Sequence, residues 1–286
     1  MDISVIVPIF KGQKYISTIQ KMITQNIDFA ESQGYAMKIE LIFINDYPDD
    51  TLHVKTIDKR YDVIVVENDK NSGIHQSRVN GLNRAKGDYI LFLDQDDKIS
   101  SNCLLSQYIA IGEADIVVGN GKRFLAGKYR RIYRSEKKHK LVRCEKVFLK
   151  AADQIVSPGH CLIRKESIPS EWKEHIIMKN GGDDMFLWIM MFECGCEFAI
   201  NRQIVYKHVY TGTNVSNDAA GMLMSAENVI KEAKKCGSIR NNTIRQYKRR
   251  IDFLKKMNGN KGKLNKMIIA LSYADICLYK AIAFYI

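Results

Sequence analysis

The sequence predicts an α/β protein with a mostly parallel central sheet flanked by helices and a helical extension at the C-terminus. Three observations support this prediction: short apolar runs rich in β-branched residues, amphipathic helical patterns between them, and polar clusters where the runs end. The chain has 286 residues, of which 46% are hydrophobic and 27% charged, so it is long enough for one large domain with an appendage.

The predicted strands are near-continuous apolar runs, the pattern expected where a sheet is covered on both faces. They cover residues 3–7, 39–44, 63–66, 89–93 and 116–118. Helical patterns separate them at about residues 14–27, 74–86 and 100–112. Because such βαβ units bind ligands beyond the carboxyl ends of their strands, we expect a site where these strands end.

The pattern changes in the second half of the chain. After about Gly119 it loosens into a basic segment with scattered aromatic residues, residues 122–150. A regular pattern of secondary structure resumes at residues 154–164, and a helix is predicted to start at Asp183. From about Asn217 onward the sequence is helical and basic.

The net charge of +12 is unevenly distributed. Residues 121–150 hold 12 Lys and Arg against 2 Glu, and residues 221–286 hold 14 Lys and Arg against 4 Asp and Glu. The rest of the chain is therefore acidic. Two basic segments on an acidic body indicate a partner with phosphates, which leaves nucleic acid, an anionic membrane and a diphosphate ligand open.

The C-terminal residues 264–286 are apolar apart from Lys266, Asp275 and Lys280. Their length is close to that of a membrane span, but the charges near the end argue against one. A basic stretch precedes them, as in helices that lie on anionic lipid. The alternative is a terminal helix that folds back over an apolar patch of the main domain.

Three aspartates follow the apolar run of residues 90–93 at once: Asp94, Asp96 and Asp97. Carboxylates this close repel one another, and burial strengthens the repulsion, so we expect either protonation or a cation between them. Mg²⁺ and Mn²⁺ take carboxylate oxygens and are often shared with the phosphates of a substrate. The alternative is that these residues only end a strand and cap a helix starting near Ser100.

Five blocks of the sequence, taken in order, resemble one known family. They are residues 4–10 (SVIVPIF), 41–51 (LIFINDYPDDT), 71–81 (NSGIHQSRVNG), 87–97 (GDYILFLDQDD) and 182–184 (GDD). Together they resemble the inverting glycosyltransferases of family 2, which adopt the GT-A fold. The resemblance implies a GT-A catalytic domain at residues 1–216 and a basic helical C-terminal extension at residues 217–286. Within the domain, residues 1–119 would bind the nucleotide sugar and residues 120–216 would form the acceptor side.

The resemblance also implies roles for single residues on the donor side. Asp94 and Asp96 match the D-x-D pair, with Asp96 as the ligand of Mn²⁺ or Mg²⁺ and His208 as a further metal or diphosphate contact. The residues implied for binding the nucleotide sugar are Pro8, Phe10, Asp46, Arg78, Asp94 and Gln95. Each has a structural alternative, such as a core position for Phe10, a turn for Asp46 or a solvated helix face for Arg78.

Asp184 matches the family's general base, which removes the proton of the acceptor hydroxyl group. Its neighbour Asp183 stands where glutamate is commoner in the family. The alternative for both is ordinary capping of the helix that they begin.

The function expected from these residues is a metal-dependent, inverting transfer of a sugar from a nucleotide-diphospho-sugar, with UDP as the default carrier. The resemblance implies a glycan or lipid-linked acceptor in cell-surface polysaccharide biosynthesis. The scattered, odd set of seven cysteines favours a cytoplasmic location, with peripheral contact to the inner face of the cell membrane through the C-terminal helix.

Two other functions stay open at this stage. A nucleic-acid-binding protein would use the basic segments, but no zinc-finger spacing or RNA-recognition motif is present, so we expect no nucleic acid. A sugar nucleotidyltransferase would need a glycine- and arginine-rich loop after the first strand, and the sequence PIFKGQK at residues 8–14 differs from it.

Overall fold

The computed structural model describes residues 2–125, 127–212, 218–260 and 262–286. In this part of the chain, nine strands form one sheet with the order β3-β2-β1-β4-β8-β6-β9-β5, and β7 pairs with β6. The strands are β1 (Asp2–Ile9), β2 (Lys38–Asn45), β3 (Asp62–Glu67), β4 (Tyr89–Phe92), β5 (Lys98–Ile99), β6 (Ile116–Leu125), β7 (Lys128–Arg131), β8 (Cys161–Arg164) and β9 (Phe198–Lys207).

Helices connect and flank these strands. They are α1 (Ile16–Ser32), α2 (Gly73–Arg84), α3 (Cys103–Ile111), α4 (Glu136–Lys140), α5 (Glu145–Lys150), α6 (Ser170–Glu174), α7 (Asp183–Glu193), α8 (Ala219–Cys236), α9 (Asn241–Gly259), α10 (Lys263–Ser272) and α11 (Ala274–Tyr285). Every predicted strand and helix is present, although several bounds differ from the expected ones.

The sheet is mostly parallel, as predicted. β1 lies between β2 and β4 and is parallel to both, and β2 is parallel to β3. Because β8 is antiparallel to both β4 and β6, these two strands run the same way, and β9 is parallel to β6. Six of the nine strands in the described ranges therefore share one direction, and the carboxyl ends of β1, β2 and β4 meet at one edge.

The third helix starts later than predicted. Ser100 was the expected first residue, whereas α3 begins at Cys103. The chain stays extended up to Ser100 because Lys98 and Ile99 pair with β9, and the amide of Ser100 donates to the carbonyl of Val205. Pairing with a distant strand thus delays the helix.

Helix α2 lies unusually close to β1, and Gly81 makes this possible. A Cβ atom at Gly81 would lie 2.3 Å from Cγ2 of Ile6 and 3.3 Å from the side chain of Ile44. The glycine therefore lets the helix pack against the sheet, which fixes the direction in which Arg78 points from the same helix.

The basic segment of residues 122–150 is more regular than the sequence pattern indicated. It holds the end of β6, all of β7 and the helices α4 and α5. Adjacent cationic residues, Lys122 with Arg123 and Arg130 with Arg131, occupy the exposed outer part of the hairpin, so the apolar runs used to predict strands are absent there.

The C-terminal helices differ in how they pack. Helices α8 and α9 contribute to the main hydrophobic core through Ala226, Val229, Ala233, Ile244, Tyr247 and Ile251. Helix α10 buries no residue, and α11 buries Ile276 and Ala283 in two small clusters. The predicted domain boundary between residues 216 and 217 lies outside the described residues.

No single helix in the described ranges has the length and apolar character needed to cross a bilayer. Helices α10 and α11 would satisfy those two criteria as a pair, but the chain bends by 94° between them.

Candidate active site

A cleft of about 1070 Å³ opens at the sheet edge where β1, β2 and β4 end. The residues predicted for the site all line it: Pro8, Phe10, Asp46, Arg78, Asp94, Gln95, Asp96, Asp184 and His208. They come from six separate parts of the chain, which the strand ends, α2 and the start of α7 bring together. The structure therefore places them in one site, while their individual roles stay predictions.

Arg78 bridges two carboxylates at the floor of the cleft. Its side chain is 4% exposed, with Nη1 donating to Oδ2 of Asp183 and Nη2 donating to Oδ1 of Asp94, both at 2.5 Å. The sequence prediction gave Arg78 to the nucleotide base. In the structure both terminal nitrogens donate to aspartates, so the guanidinium compensates buried negative charge, and its contact with a base stays a prediction.

Two of the three neighbouring aspartates, Asp94 and Asp97, accept hydrogen bonds from distant parts of the chain. Asp94 has Arg78 and also accepts from Oγ of Ser157 at 3.1 Å. Asp97 is buried and accepts from the hydroxyl group of Tyr206 and from the amide of Val209. Residues far away in the sequence supply these donors, but burial still raises the pKa of Asp94, so the expectation of protonation or a bound cation stays a prediction.

Asp96 is half-buried and lines the cleft, as Asp94 does, but the guanidinium of Arg78 is bound to Asp94. Burial, together with the charges of Asp97 and Asp94, raises the pKa of Asp96 to about 6. Its negative charge is thus the least compensated of the three, which is the environment expected of a group that takes up a cation.

His208 is held by Asp97, whose importance the sequence did not reveal. Nδ1 of His208 lies 3.2 Å from Oδ1 of Asp97 and hydrogen-bonds to its Oδ2 at 3.3 Å, and this hydrogen bond raises the pKa of the imidazole. A carboxylate at Nδ1 fixes the ring orientation and leaves Nε2 as the nitrogen for a cation, as in many metal sites.

Asp96 and His208 are the two side chains in the cleft best suited to hold a divalent cation. The described residues contain no group of three or more His, Cys, Asp or Glu arranged to hold a metal. Mg²⁺ often takes only one or two carboxylates and completes its shell with water and substrate phosphates. The residues present fit such a shared ion, and Mn²⁺ uses similar ligands.

Asp183 and Asp184 begin α7 but have opposite environments. Burial would raise the pKa of Asp183, but the guanidinium of Arg78 outweighs it and lowers that pKa. Burial, followed by the charge of Asp183, raises the pKa of Asp184 well above its ordinary value. Two adjacent carboxylates whose pKa values are driven apart commonly mark an acid–base site.

Two predicted binding residues hold loops of the site in place. Asp46 accepts from Nδ2 of Asn68 at 2.9 Å and from the amides of Ser72 and Gly73 at 2.7 and 2.9 Å. The side-chain amide of Gln95 bonds the backbone amide and carbonyl of Phe10 at 3.0 and 3.1 Å. These contacts fix the start of α2 and the segment after β1.

The aromatic wall predicted at the end of β1 is exposed to the cleft. The ring of Phe10 is 43% exposed and meets the ring of Tyr47 edge to face, with 5.4 Å between the centroids. Nζ of Lys11 lies 4.7 Å from the centroid of Tyr47. A planar base could stack on this pair, and Tyr47 is a partner that the sequence did not single out.

Part of the chain that follows the predicted catalytic region also reaches the cleft. Met222 of α8 lines it, as does Asp153, which is bonded to Nη1 of Arg250 from α9 at 2.9 Å. The electrostatic influence of Asp153 further raises the pKa of Asp184. Helices α8 and α9 therefore help to shape the site.

Comparison with known proteins gives a consistent picture. The sequence model described as "Glycosyl transferase family 2" matches residues 4–209. Over 103 residues the chain is 36% identical to the minor teichoic acid biosynthesis protein GgaB of Bacillus subtilis. This match covers 35% of this chain and 11% of that protein. Over 123 residues it is 32% identical to the poly(ribitol-phosphate) β-N-acetylglucosaminyltransferase TarP of Staphylococcus aureus. That match covers 41% of this chain and 36% of TarP.

A solved structure supports the same fold. The crystal structure of residues 1–349 of S. aureus TarS in complex with UDP-GlcNAc matches with a TM-score of 0.60 and 14% sequence identity. The match covers 96% of this chain and 81% of that one. At this identity the likeness establishes the arrangement of strands and helices. The chain spans well under half the length of the two curated relatives.

Proposed function

Because the chain belongs to glycosyl transferase family 2, we propose that it transfers a sugar from a nucleotide-diphospho-sugar to an acceptor hydroxyl group. Its fold is of the predicted GT-A type, which it shares with TarS. The family match favours this function over a nucleic-acid-binding protein or a sugar nucleotidyltransferase.

The observation that carries the proposal is the pair Asp183 and Asp184 in the same cleft as Asp94 and Asp96. Asp184 would take the proton of the acceptor hydroxyl, whose oxygen attacks the anomeric carbon as the bond from that carbon to the diphosphate breaks. Attack from the face opposite the leaving group would invert the anomeric centre. The raised pKa of Asp184 makes it a stronger base than an ordinary aspartate.

On the donor side, Phe10 and Tyr47 would stack with the base, and Arg78 would hold Asp94 toward the sugar. We propose Mn²⁺ or Mg²⁺ as the cofactor, with Asp96 and His208 as its ligands and Asp97 as the residue that orients His208. Such an ion, when bound, would supply positive charge for the leaving diphosphate. UDP is the proposed nucleotide because TarS was crystallised with UDP-GlcNAc.

We further propose that the protein acts in cell-surface glycan biosynthesis, as the names of GgaB and TarP indicate for those relatives. The acceptor would be a glycan, free or lipid-linked, and the protein would work in the cytoplasm at the inner face of the membrane. The exposed apolar side chains of α10 and α11 support contact with a bilayer, since Leu271 and Phe284 are 76% and 80% exposed. Lys263 and Lys266 lie on the same helix pair and match anionic headgroups.

A thermal-shift screen tests the donor. UDP-sugars with Mn²⁺ should raise the melting temperature more than GDP- or dTDP-sugars, because a ligand that binds only the folded state stabilises it. The variant Asp184→Asn should keep this thermal shift, but its rate of sugar transfer should fall by about a hundredfold or more. Wild-type transfer by Asp184→Asn, or no shift with any UDP-sugar, would refute the proposal.

A further inference from the structure

The hairpin of β6 and β7 carries a concentration of cations beside the active-site cleft. We propose that it binds phosphate groups of the acceptor, so that the acceptor is a polyanionic polyol-phosphate or sugar-phosphate chain; this inference rests on the proposed function. The hairpin ledge, as we name this group, has Lys122, Phe124, Tyr129, Arg131 and Lys207 on one face of the hairpin, Arg123 and Arg130 on the other, and Tyr210 stacked on Phe124.

Like charges face each other across the strands of the hairpin ledge. Lys122 lies opposite Arg131 and Arg123 lies opposite Arg130 in the antiparallel register of β6 and β7. On the other side of β6, Lys207 of β9 pairs with the same Lys122 and completes a row of three cations. Nζ of Lys207 lies 4.0 Å from the ring centroid of Tyr129, which compensates one of the three charges. Directly opposed like charges destabilise a sheet, so folding gives no reason to place Lys122 opposite Arg131.

These cations are also without acidic partners. In the described ranges, none of the five Lys and Arg residues of the hairpin ledge forms an ion pair with a carboxylate. Other arginines of this protein do so, for example Arg60 with three acidic residues and Arg240 with two. The positive charge of the ledge is therefore available to an anionic ligand.

Aromatic rings lie among these charges and are open to solvent. Phe124 and Tyr210 stack with 5.0 Å between their centroids, and Tyr129 meets Phe124 edge to face at 5.4 Å. Their exposed fractions are 37% for Phe124 and Tyr129 and 50% for Tyr210. Exposed rings beside unpaired cations suit a ligand that offers C–H groups and phosphates in alternation, as a polyol-phosphate chain does.

The hairpin ledge is continuous with the cleft. Arg123, Phe124 and Tyr210 line the cleft together with His208 and Asp184. A chain that lies on the ledge would therefore enter beside the carboxylate proposed to activate its hydroxyl group. This position distinguishes an acceptor from a nucleic acid, which would have no reason to reach Asp184.

The test compares two double variants with equal loss of charge. Lys122→Gln/Arg131→Gln alters the ledge, and Lys38→Gln/Lys173→Gln alters two exposed lysines elsewhere, one of them at the opposite end of β2. Isothermal titration uses a synthetic oligo(ribitol phosphate), a neutral oligosaccharide of similar length and a single-stranded oligonucleotide, each with UDP and Mn²⁺ present.

We expect wild type and the control to bind the oligo(ribitol phosphate), with affinity falling as salt rises. The ledge variant should bind it about tenfold more weakly and should melt no lower than wild type, because a repulsive pair has been removed. Tyr210→Ala should also weaken binding but leave the salt dependence unchanged. The thermal shift with UDP should be the same in all variants.

Three results would overturn the inference: equal binding by the ledge variant and the control, tighter binding of the neutral oligosaccharide, or preference for the oligonucleotide. Each leaves the UDP shift in place. Loss of that shift in wild type would instead refute the proposed sugar transfer, so the two failures are distinguishable.

Discussion

At the scale of single residues, the three aspartates after β4 have different roles because their neighbours differ. Asp94 faces a guanidinium, Asp97 faces a phenol, an amide and an imidazole, and Asp96 faces the cleft. All three lie within four positions of the sequence, so only the folded structure separates the residue that contributes to packing from the one open to a ligand.

The pH dependence of transfer should reflect the environment of Asp184. A general base works only when ionised, and the pKa of Asp184 is raised by burial and by Asp183. Activity should therefore rise with pH through an inflection above the ordinary aspartate value of about 3.9. The measurement is kcat/KM against pH at saturating metal; a profile that stays flat down to about pH 4 would contradict this assignment.

Arg78 should matter more for stability than an ordinary arginine of the same helix. Arg78→Met leaves Asp183 and Asp94 buried without their cation, which should cost about 3–5 kcal/mol of the free energy of unfolding. Arg84→Met, at the exposed end of α2, is the control and should change it by less than about 0.5 kcal/mol. Urea denaturation at pH 7 measures both.

The ion pair of Arg78 and Asp183 should also make the stability depend on pH. Because Arg78 lowers the pKa of Asp183, their pairing stabilises the fold above the unfolded-state pKa and is lost as pH falls through the lower folded-state value. The difference in free energy of unfolding between wild type and Arg78→Met should therefore become smaller as the pH falls. A stability difference that is small at pH 7, or that grows on acidification, would show that Arg78 does not compensate these carboxylates.

The sequence was sufficient to place nine residues in one cleft but not to assign their partners. Asp184, Asp96 and His208 could be found from motif order, because strand ends and helix starts converge in this type of fold. Asp97 could not, since its contact to His208 spans 111 positions of the chain. The bonds of Arg78 to two aspartates could not be predicted either, because they depend on how α2 and α7 pack.

At the scale of elements, apolar periodicity predicted the buried parts well and the exposed parts poorly. The strands β1, β2 and β4 are covered on both faces and read directly as apolar runs. The hairpin of β6 and β7 extends beyond the covered part of the sheet, where adjacent cationic residues replace the apolar run. A strand whose residues serve a ligand loses the apolar signal that would predict it.

Helices α10 and α11 provide the prediction at this scale. Vesicles containing anionic lipid should bind the protein, because exposed apolar residues and nearby lysines suit an interfacial helix. Leu271→Glu/Phe284→Glu should reduce vesicle co-sedimentation by about tenfold or more, since each change puts a charge into the apolar face. Met178→Glu is the control, as Met178 is 74% exposed at a different site.

Two results would contradict a contact between the helix pair and anionic lipid. If neutral vesicles bind as well as anionic ones, charge has no part in the contact. If the double variant still co-sediments like wild type, α10 and α11 do not form the contact surface.

At the scale of the whole molecule, the two basic segments that are far apart in the sequence are neighbours in the structure. Helix α5 packs against α9 and α11, and Lys150 bonds Asp275 at 3.1 Å. A groove of about 760 Å³ between these helices is lined by Lys146, Lys150, Arg245, Lys248 and Arg249 among others. Positive charge is therefore gathered on the side formed by the C-terminal helices rather than spread along a linear tail.

The C-terminal extension divides into a part that the fold requires and a part that it does not. Val229, Ile244, Tyr247 and Ile251 belong to the main core, whereas α10 buries nothing and α11 buries two residues. Burying one large apolar side chain contributes about 1.5–3 kcal/mol, so the four together are comparable with the whole stability of a typical domain, about 5–15 kcal/mol. The sequence prediction treated residues 217–286 as one unit, because charge and helical periodicity are similar throughout.

Two truncations test this division. A chain that ends at Asn260 should still unfold cooperatively and keep its thermal shift with UDP, since it retains α8, α9 and the bond from Arg250 to Asp153. A chain that ends at Asp218 should show no cooperative transition in near-ultraviolet circular dichroism, because the core and the cleft wall at Met222 are both lost. If the shorter chain instead melts cooperatively and binds UDP, α8 and α9 are an accessory to a catalytic domain that is complete without them.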